Sequence, residues 1–249
     1  MDKLVIENNP LLLSALAGLQ AAPKTMEAKW LYDTDGSELF EEITKLPEYY
    51  PTRTELSILK QHAPILARYA PDGAALIELG SGASVKTRTL LDSMSNLKAY
   101  VPIDIAVDFM AISAKKLSPN YPDLNVIPMV ADFTGALKLP DSLRAQPKVA
   151  FFPGSTIGNL DNVDIIGLLT RTRGWSGIRA FIIGIDLVKD PTTLVAAYDD
   201  AAGVTAAFNL NLLRRLNREI GATFDLDSFA HEARWNASDS RIEMHLVSR

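Results

Sequence analysis

From residue 75 onward, short apolar runs alternate with amphipathic stretches of helix length, and this alternation constrains the fold more than any other feature. The runs are rich in Val, Ile and Phe and cover residues 75–79, 99–103, 126–130, 149–152 and 180–185. Short buried strands joined by helices form a parallel sheet with helices on both of its faces. The sequence therefore predicts an α/β fold with a doubly wound parallel sheet.

The segments on either side of this alternation have different patterns. Residues before 71 are polar-patterned and helical, and Pro51 and Pro64 interrupt them. After the fifth run, residues 193–220 carry apolar positions at helical spacing and predict a helix that covers the sheet, followed by strands around 233–235 and 242–247. We therefore divide the chain into a helical N-terminal region at 1–70, a cofactor-binding core at 71–192, and a helical cover with C-terminal strands at 193–249.

The composition excludes several classes of function. A net charge of −5 provides no clustered basic face for nucleic acid. The chain has no cysteine for a disulfide or thiolate site, and none of its 3 histidines stands at the spacing of a helical metal site. No apolar run approaches the ~20 residues of a membrane span. We expect a cytoplasmic protein that binds a small molecule and no metal.

A glycine turn follows the first predicted strand. Gly80 and Gly82 come directly after this strand, and Lys86 follows at the start of a helical stretch. In a doubly wound sheet the ligand crevice lies beyond the carboxyl ends of the strands, where glycine lets a ligand approach the backbone. A dinucleotide fingerprint would have a third glycine where this chain has Val85, so the pattern argues against a pyrophosphate.

Acidic residues follow the second and third predicted strands. Asp104 is placed to accept hydrogen bonds from both hydroxyls of a ribose, and Asp132 and Phe133 offer an acceptor and an aromatic wall for adenine. Lys86 would meet a methionine carboxylate. This order favours S-adenosylmethionine over NAD as cofactor. Each residue alone has a plainer interpretation: a helix N-cap for an acid, core packing for Phe133, and a solvated lysine for Lys86.

A small polar loop follows the fourth predicted strand, at residues 153–159. Methyl transfer is an in-line displacement, so an enzyme mainly has to position an uncharged nucleophile and exclude water. An asparagine amide oxygen and a tyrosine hydroxyl would hold an amine with its lone pair aimed at the methyl carbon. Asn159 suits this role, or instead caps a helix that starts at Leu160.

Longer motifs give a specific resemblance that spans nearly the whole chain. They are KWLYD at 29–33, GSELF at 36–40, LPEYYPTRTE at 46–55, the glycine turn at 78–88, the loop at 152–160, GIDLVKD at 184–190, residues 197–209 and RIEM at 241–244. Together they resemble the histidine-specific N-methyltransferases that make hercynine for ergothioneine biosynthesis. The resemblance implies a Rossmann-like methyltransferase sheet, S-adenosylmethionine as cofactor, and the α-amine of L-histidine as methyl acceptor.

The resemblance also implies roles for individual residues. Positions that match the family's cofactor contacts are Tyr32, Gly80, Lys86, Asp104, Asp132 and Phe133. Positions that match its substrate contacts are Phe40, Tyr49, Gly154, Thr156, Asn159, Tyr198 and Met244, and we take Asn159 and Tyr49 as the catalytic residues.

The sequence departs from the family after RIEM. Family members continue with a Glu and a Ser that engage the imidazole, then with a final helix and strand, whereas this sequence ends at Arg249. We therefore expect an uncompleted sheet edge through which the chain associates with itself. Three alternatives remain: an N-methyltransferase of another amino acid such as a tryptophan derivative, an inactive cofactor-binding subunit, and a nicotinamide-dependent oxidoreductase.

Overall fold

The structure is a computed structural model that describes residues 9–82 and 85–249 and divides them into two units. The first, which we name the sheet unit, is Tyr50–Leu187. The second, which we name the hairpin unit, combines the described residues up to Tyr49 with Val188–Arg249. The sheet unit is therefore continuous in sequence, whereas the hairpin unit is built from both ends of the chain.

Helices and strands alternate through most of the described chain. The helices are α1 (Pro10–Gln20), α2 (Thr34–Ile43), α3 (Tyr50–Leu66), α4 (Val85–Ser93), α5 (Val107–Leu117), α6 (Asn162–Arg173), α7 (Pro191–Tyr198) and α8 (Val204–Ile220). The strands are β1 (Ala75–Leu79), β2 (Ala99–Asp104), β3 (Asn125–Val126), β4 (Met129–Val130), β5 (Lys148–Phe152), β6 (Ile178–Ile183), β7 (Phe229–Asn236) and β8 (Arg241–Ser248). None of the described helices combines the length and apolarity needed to cross a bilayer.

The sheet unit contains a parallel sheet in the order β3, β2, β1, β5, β6, with β4 also paired to β2. Every residue of β1 and β5 is buried. Strands buried on both faces form nearly continuous apolar runs rather than alternating apolar and polar residues, and this is the pattern of the predicted runs. The predicted parallel sheet is confirmed.

Helices cover both faces of this sheet. Successive strand residues point to opposite faces, and neighbouring residues of β1 accordingly join two separate cores. Leu76 packs in one core with Leu59 of α3 and Leu90 of α4. Ile77 packs in the other core with Leu168 of α6. The fold is therefore doubly wound, as the sequence predicts.

The third predicted strand, 126–130, is interrupted in the structure. β3 ends at Val126 and β4 begins at Met129, with Pro128 between them. Proline has no N–H to donate to a ladder, so it breaks the pairing with β2 for one step. Both short strands still pair in parallel with β2, which extends the sheet in the predicted place.

The hairpin unit is built around an antiparallel pair. β7 and β8 pair from Phe229 opposite Ser248 to Asn236 opposite Arg241. Helix α8 packs against α2 and against both strands, and α7 also contacts both strands. The two strands predicted near the end of the chain therefore form a hairpin of their own.

The predicted helix 193–220 is two helices, α7 and α8. The Asp200 carboxylate accepts hydrogen bonds from Val204 N at 3.0 Å and from Thr205 N at 2.7 Å, which satisfies two free amides at the start of α8. Gly203 has a φ of +74°, in the left-handed region that glycine tolerates best. An acid followed closely by a glycine is thus the sequence signal for this break.

The unit boundaries differ from the predicted division at 1–70, 71–192 and 193–249. Helix α3 falls within the predicted N-terminal region, but its Leu59 and Ala63 pack in the same core as Leu76. The chain from Val188 onward joins the N-terminal helices, because α8 packs on α2.

The end of β1 is held by a buried carboxyl group. Glu78 is 1% exposed, and both of its carboxyl oxygens lie 2.6 Å from the hydroxyl of Thr87 in α4. Tyr100 of β2 donates a further hydrogen bond to it. Burial raises the pKa of the Glu78 carboxyl to about 8, because the charged form loses its hydration. Three elements therefore meet at a carboxyl group that keeps its proton at neutral pH.

Glu78→Gln should weaken the pH dependence of stability. The native Glu78 carboxyl keeps its proton up to about pH 8, whereas a carboxyl with the ordinary value of 4.5 is ionised in the unfolded chain. The unfolded state thus binds fewer protons than the native state between these values. Stability falls as pH rises through this window and levels off above it, by at most about 1.4 kcal/mol per pH unit for one proton. Glutamine carries no titrating proton and removes this contribution.

Thermal unfolding from pH 5 to pH 8.5 tests this expectation. The matched control is Glu38→Gln, at an exposed position. The melting temperature of Glu78→Gln should fall less across this range than those of the wild type and the control. Equal slopes for all three proteins would contradict a protonated Glu78.

Candidate functional site

The glycine turn after β1 places Gly80 near two other predicted residues. Gly80 and Gly82 have φ angles of +68° and +47°, which L side chains rarely adopt. A Cβ atom on Gly80 would lie 3.6 Å from the Phe133 ring and 3.8 Å from the Thr156 methyl group. The turn, the Phe133 ring and the loop after β5 therefore line one region at the carboxyl end of the sheet.

Asp104 binds the backbone at this turn. One carboxylate oxygen accepts from Gly82 N at 3.0 Å and the other accepts from Ala106 N at 3.0 Å. Each carboxylate oxygen has a further lone pair, so both remain able to accept from a pair of hydroxyls. Asp104 therefore ties the second strand to the turn and keeps the acceptor capacity predicted for a ribose.

Ser81, between the two glycines, has a hydroxyl that needs a partner. Ser81 is 5% exposed, and its hydroxyl makes no hydrogen bond within the described part of the chain. Buried polar atoms are nearly always hydrogen-bonded, so a ligand or water is expected there. Together with Asp104 and the glycine backbone, this hydroxyl fits a nucleoside-bearing cofactor.

Phe133 forms one wall of this region, and Asp132 precedes it in the chain. Asp132 accepts from Thr134 N at 2.9 Å and from the Thr134 hydroxyl at 2.6 Å, and Arg171 of α6 donates to Thr134 O at 2.6 Å. Phe133 is partly buried and packs edge-on to Phe152 at 5.2 Å between ring centroids. Core packing thus holds the Phe133 ring in place beside the glycine turn.

Lys86 forms an ion pair that the sequence did not predict. Its Nζ atom lies 2.6 Å from the carboxylate of Glu55 in α3. Both oxygens of Glu55 also lie 2.9 Å from the backbone N of Gly154. Glu55 belongs to a motif of the family resemblance, but nothing in its local sequence indicates a partner 99 residues away.

The loop after β5 has a constrained backbone. Gly154 and Ser155 have φ angles of +83° and +55°, and the second is unusual for a residue with a side chain. The Ser155 hydroxyl accepts from Asp186 N at 2.9 Å, and the Thr156 hydroxyl donates to Pro153 O at 2.8 Å. The loop is therefore fixed both internally and to the segment after β6.

Asn159 ends this loop with an exposed side chain. The side-chain amide of Asn159 makes no hydrogen bond to any described residue. Helix α6 begins at Asn162 and is capped by Asp161, which accepts from Asp164 N at 2.8 Å. The interpretation of Asn159 as a helix cap is therefore wrong.

The hairpin unit gathers four of the predicted residues into one aromatic cluster. The Tyr32 ring lies 5.5 Å from Phe40, Phe40 lies 6.1 Å from Tyr49, and Tyr49 lies 5.8 Å from Tyr198, all edge to face. Phe208 of α8 completes the cluster, 5.4 Å from Tyr32. Such pairs favour edge-to-face geometry because the ring face is negative and the edge positive.

The last predicted residue, Met244, lies on β8 opposite Ala233 of β7. The hairpin unit thus contains Tyr32, Phe40, Tyr49, Tyr198 and Met244, whereas the sheet unit contains the other predicted residues.

Two buried polar residues that the sequence analysis missed support Tyr198. His231 Nε2 lies 2.8 Å from Tyr198 O, and a carbonyl only accepts, so Nε2 carries the proton. Nδ1 then accepts from the Asn209 amide at 2.9 Å, which also donates to His245 O at 3.0 Å. The sequence signal was a polar Asn209 on the apolar face of a helix.

Comparisons with known proteins identify the family of this chain. The family model described as histidine-specific methyltransferase, SAM-dependent, matches residues 11–249. The histidine N-alpha-methyltransferase of Mycolicibacterium smegmatis is 46% identical over 241 residues, which are 94% of this chain and 73% of that protein. The protein of the same name from Mycobacterium tuberculosis is 44% identical over 92% of this chain and 72% of its own length.

A fungal relative is longer. Ergothioneine biosynthesis protein 1 of Neurospora crassa is 34% identical over 211 residues, which are 81% of this chain and 24% of that protein. The match of the family model over residues 11–249, together with the two mycobacterial relatives, decides the assignment. The chain belongs to the family of SAM-dependent, histidine-specific methyltransferases.

Proposed function

We propose that this chain transfers methyl groups from S-adenosylmethionine to the α-amine of L-histidine and forms hercynine, Nα,Nα,Nα-trimethylhistidine, for ergothioneine biosynthesis. The observation that carries the proposal is the 46% identity to a histidine N-alpha-methyltransferase over 94% of the chain. The absence of cysteine agrees with a cytoplasmic location, which is part of the same proposal.

The sheet unit would hold the methyl donor. Asp104 would accept from the ribose hydroxyls, Asp132 and Phe133 would contact the adenine, and the Gly80 turn would let the donor lie against the backbone. Lys86 would meet the donor's carboxylate. The bound donor supplies a methyl group on a sulfonium, which is activated for displacement without an acid or base from the protein.

Orientation of the acceptor amine is the remaining task. Asn159 has an exposed amide oxygen that can accept from an amine, and Tyr49 and Tyr198 offer hydroxyls. We propose that Asn159 holds the histidine amine with its lone pair directed at the methyl carbon, as proximity catalysis requires. Tyr49 and Tyr198 are substrate contacts in this proposal because the family resemblance implies that role. Only the neutral amine has a lone pair for attack, and water can take the proton that the ammonium loses.

Turnover of a radiolabelled methyl donor with each of the twenty amino acids and with a tryptophan derivative tests the proposed substrate. Histidine should be the preferred acceptor. Preference for another amino acid would indicate the alternative N-methyltransferase, and donor binding without any turnover would indicate a cofactor-binding subunit.

Asp104→Ala should weaken binding of S-adenosylmethionine by about 30-fold. A partly buried carboxylate that accepts from hydroxyls makes charge-assisted hydrogen bonds, and their loss costs about 2 kcal/mol. Calorimetric titration with the donor, with S-adenosylhomocysteine and with NADH measures the effect. Asp123→Ala, at an exposed position, is the control and should bind as the wild type does. Unchanged donor affinity in Asp104→Ala, or tight NADH binding by the wild type, would refute the assignment.

Asn159→Ala should lower methyl transfer at least ~10-fold and leave donor affinity unchanged, since it removes orientation of the acceptor only. The control is Asn162→Ala, which replaces another exposed asparagine three residues along the chain. Single-turnover kinetics and donor titration separate the two effects. If donor affinity fell as much as turnover, Asn159 would belong to the donor site or to the fold.

We also propose that the chain associates with itself through β6. This strand pairs with β5 along one edge, and no described strand pairs with its other edge. An open edge has backbone groups free to pair with a second chain. Sedimentation velocity over a hundredfold range of concentration should therefore detect a reversible dimer, and a monomer at every concentration would rule the proposal out.

A further inference from the structure

Three segments at the carboxyl end of the sheet meet on one carboxylate, that of Glu55. Lys86, in the first turn of α4, lies 2.6 Å from it, and Gly154, after β5, donates its N–H at 2.9 Å. A Cβ atom on Gly184, just after β6, would lie 1.8 Å from Glu55 Oε1, so a side chain at this position would displace the carboxylate. Glu55 therefore occupies a space shaped for its head group.

The environment makes this pair stronger than an ordinary surface pair. The Glu55 and Lys86 side chains are 16% and 19% exposed. Reduced contact with water strengthens the attraction between opposite charges and limits screening by salt. A lysine ammonium has three N–H donors, so contact with Glu55 leaves others for a second acceptor.

We infer that Glu55 is a positioning residue of the donor site, which holds the Lys86 ammonium where the methionine carboxylate of the donor binds. The inference rests on the proposed function, because it assumes a donor with a carboxylate. A free lysine loses rotamer freedom when it binds a ligand, whereas a lysine already held by Glu55 has lost that freedom beforehand. Glu55 thus increases donor affinity although its own charge repels the donor carboxylate.

Two simpler roles for Glu55 give different results. If Glu55 only holds the Gly154 loop, its loss should weaken the binding of every nucleoside ligand equally. If it only repels the donor carboxylate, removal of its charge should tighten donor binding. Ligands with and without the amino-acid group separate these roles from positioning.

The experiment compares S-adenosylhomocysteine with 5′-methylthioadenosine, which has the same nucleoside and a thioether but no amino-acid group. Affinities of both ligands are measured by calorimetry for the wild type, Glu55→Gln and Glu55→Asp, after thermal unfolding has shown that each variant is folded. Glutamine keeps an oxygen for Gly154 N but loses the charge, whereas aspartate keeps the charge but is shorter. Gln61→Ala, at an exposed position on α3, is the control.

Both Glu55 variants should bind S-adenosylhomocysteine about 10-fold more weakly, which corresponds to about 1.4 kcal/mol of lost preorganisation. Their affinity for 5′-methylthioadenosine should stay within about twofold of the wild type. In a Lys86→Met background, Glu55→Gln should have no further effect on S-adenosylhomocysteine, because residues that act together are not additive.

Equal losses for both ligands, tighter S-adenosylhomocysteine binding by Glu55→Gln, or additive effects with Lys86→Met would each overturn the inference. A wild-type protein that binds neither ligand would instead overturn the proposed function. A wild type that binds both, with variants that lose neither, would leave the proposed function standing and reject the role of Glu55.

Discussion

The buried carboxyl of Glu78 determines where the central strand ends and where the next helix begins. Thr87 of α4 and Tyr100 of β2 both hydrogen-bond to it, and these contacts leave the chain a short path between strand and helix. That path requires left-handed backbone at Gly80 and Gly82. Asp104 then accepts the N–H of Gly82 from the neighbouring strand. The shape of the glycine turn after β1 thus follows from one carboxyl group that the sheet has removed from water.

Most of the fold follows from the pattern of apolar runs. Strands that are buried on both faces cannot contain polar residues without a partner, so β1, β2 and β5 stand out in the sequence. The interruption of the third strand and the division of the last predicted helix were missed because each depends on one residue, Pro128 or Asp200. A hydrophobic pattern over many residues is insensitive to a single residue. The two units of the structure divide the chain at other positions than the predicted regions, since α3 carries no local sign of which core it enters.

The proximity of predicted residues could be foreseen where strand order brings them together. Gly80, Asp104 and Phe133 all follow parallel strands, whose carboxyl ends meet at one edge. The aromatic cluster around Tyr49 required the family resemblance, because aromatic residues are common in ordinary cores. Glu55 and His231 act through contacts that join distant parts of the chain, and no local pattern encodes such contacts.

The hairpin unit is built from both ends of the chain, so it can fold completely only after the sheet unit between them has been synthesised. Helix α2 leaves the ribosome early, but its packing partner α8 is made only after the whole sheet unit. The sheet unit is continuous and can collapse as it emerges, whereas the N-terminal helices must wait with apolar faces uncovered. Contacts between α2 and α8 close a long loop of chain. Such closure is slow, because the chain loses conformational entropy before the stabilising contacts form. During synthesis, the N-terminal helices are therefore the described elements whose apolar faces stay uncovered longest.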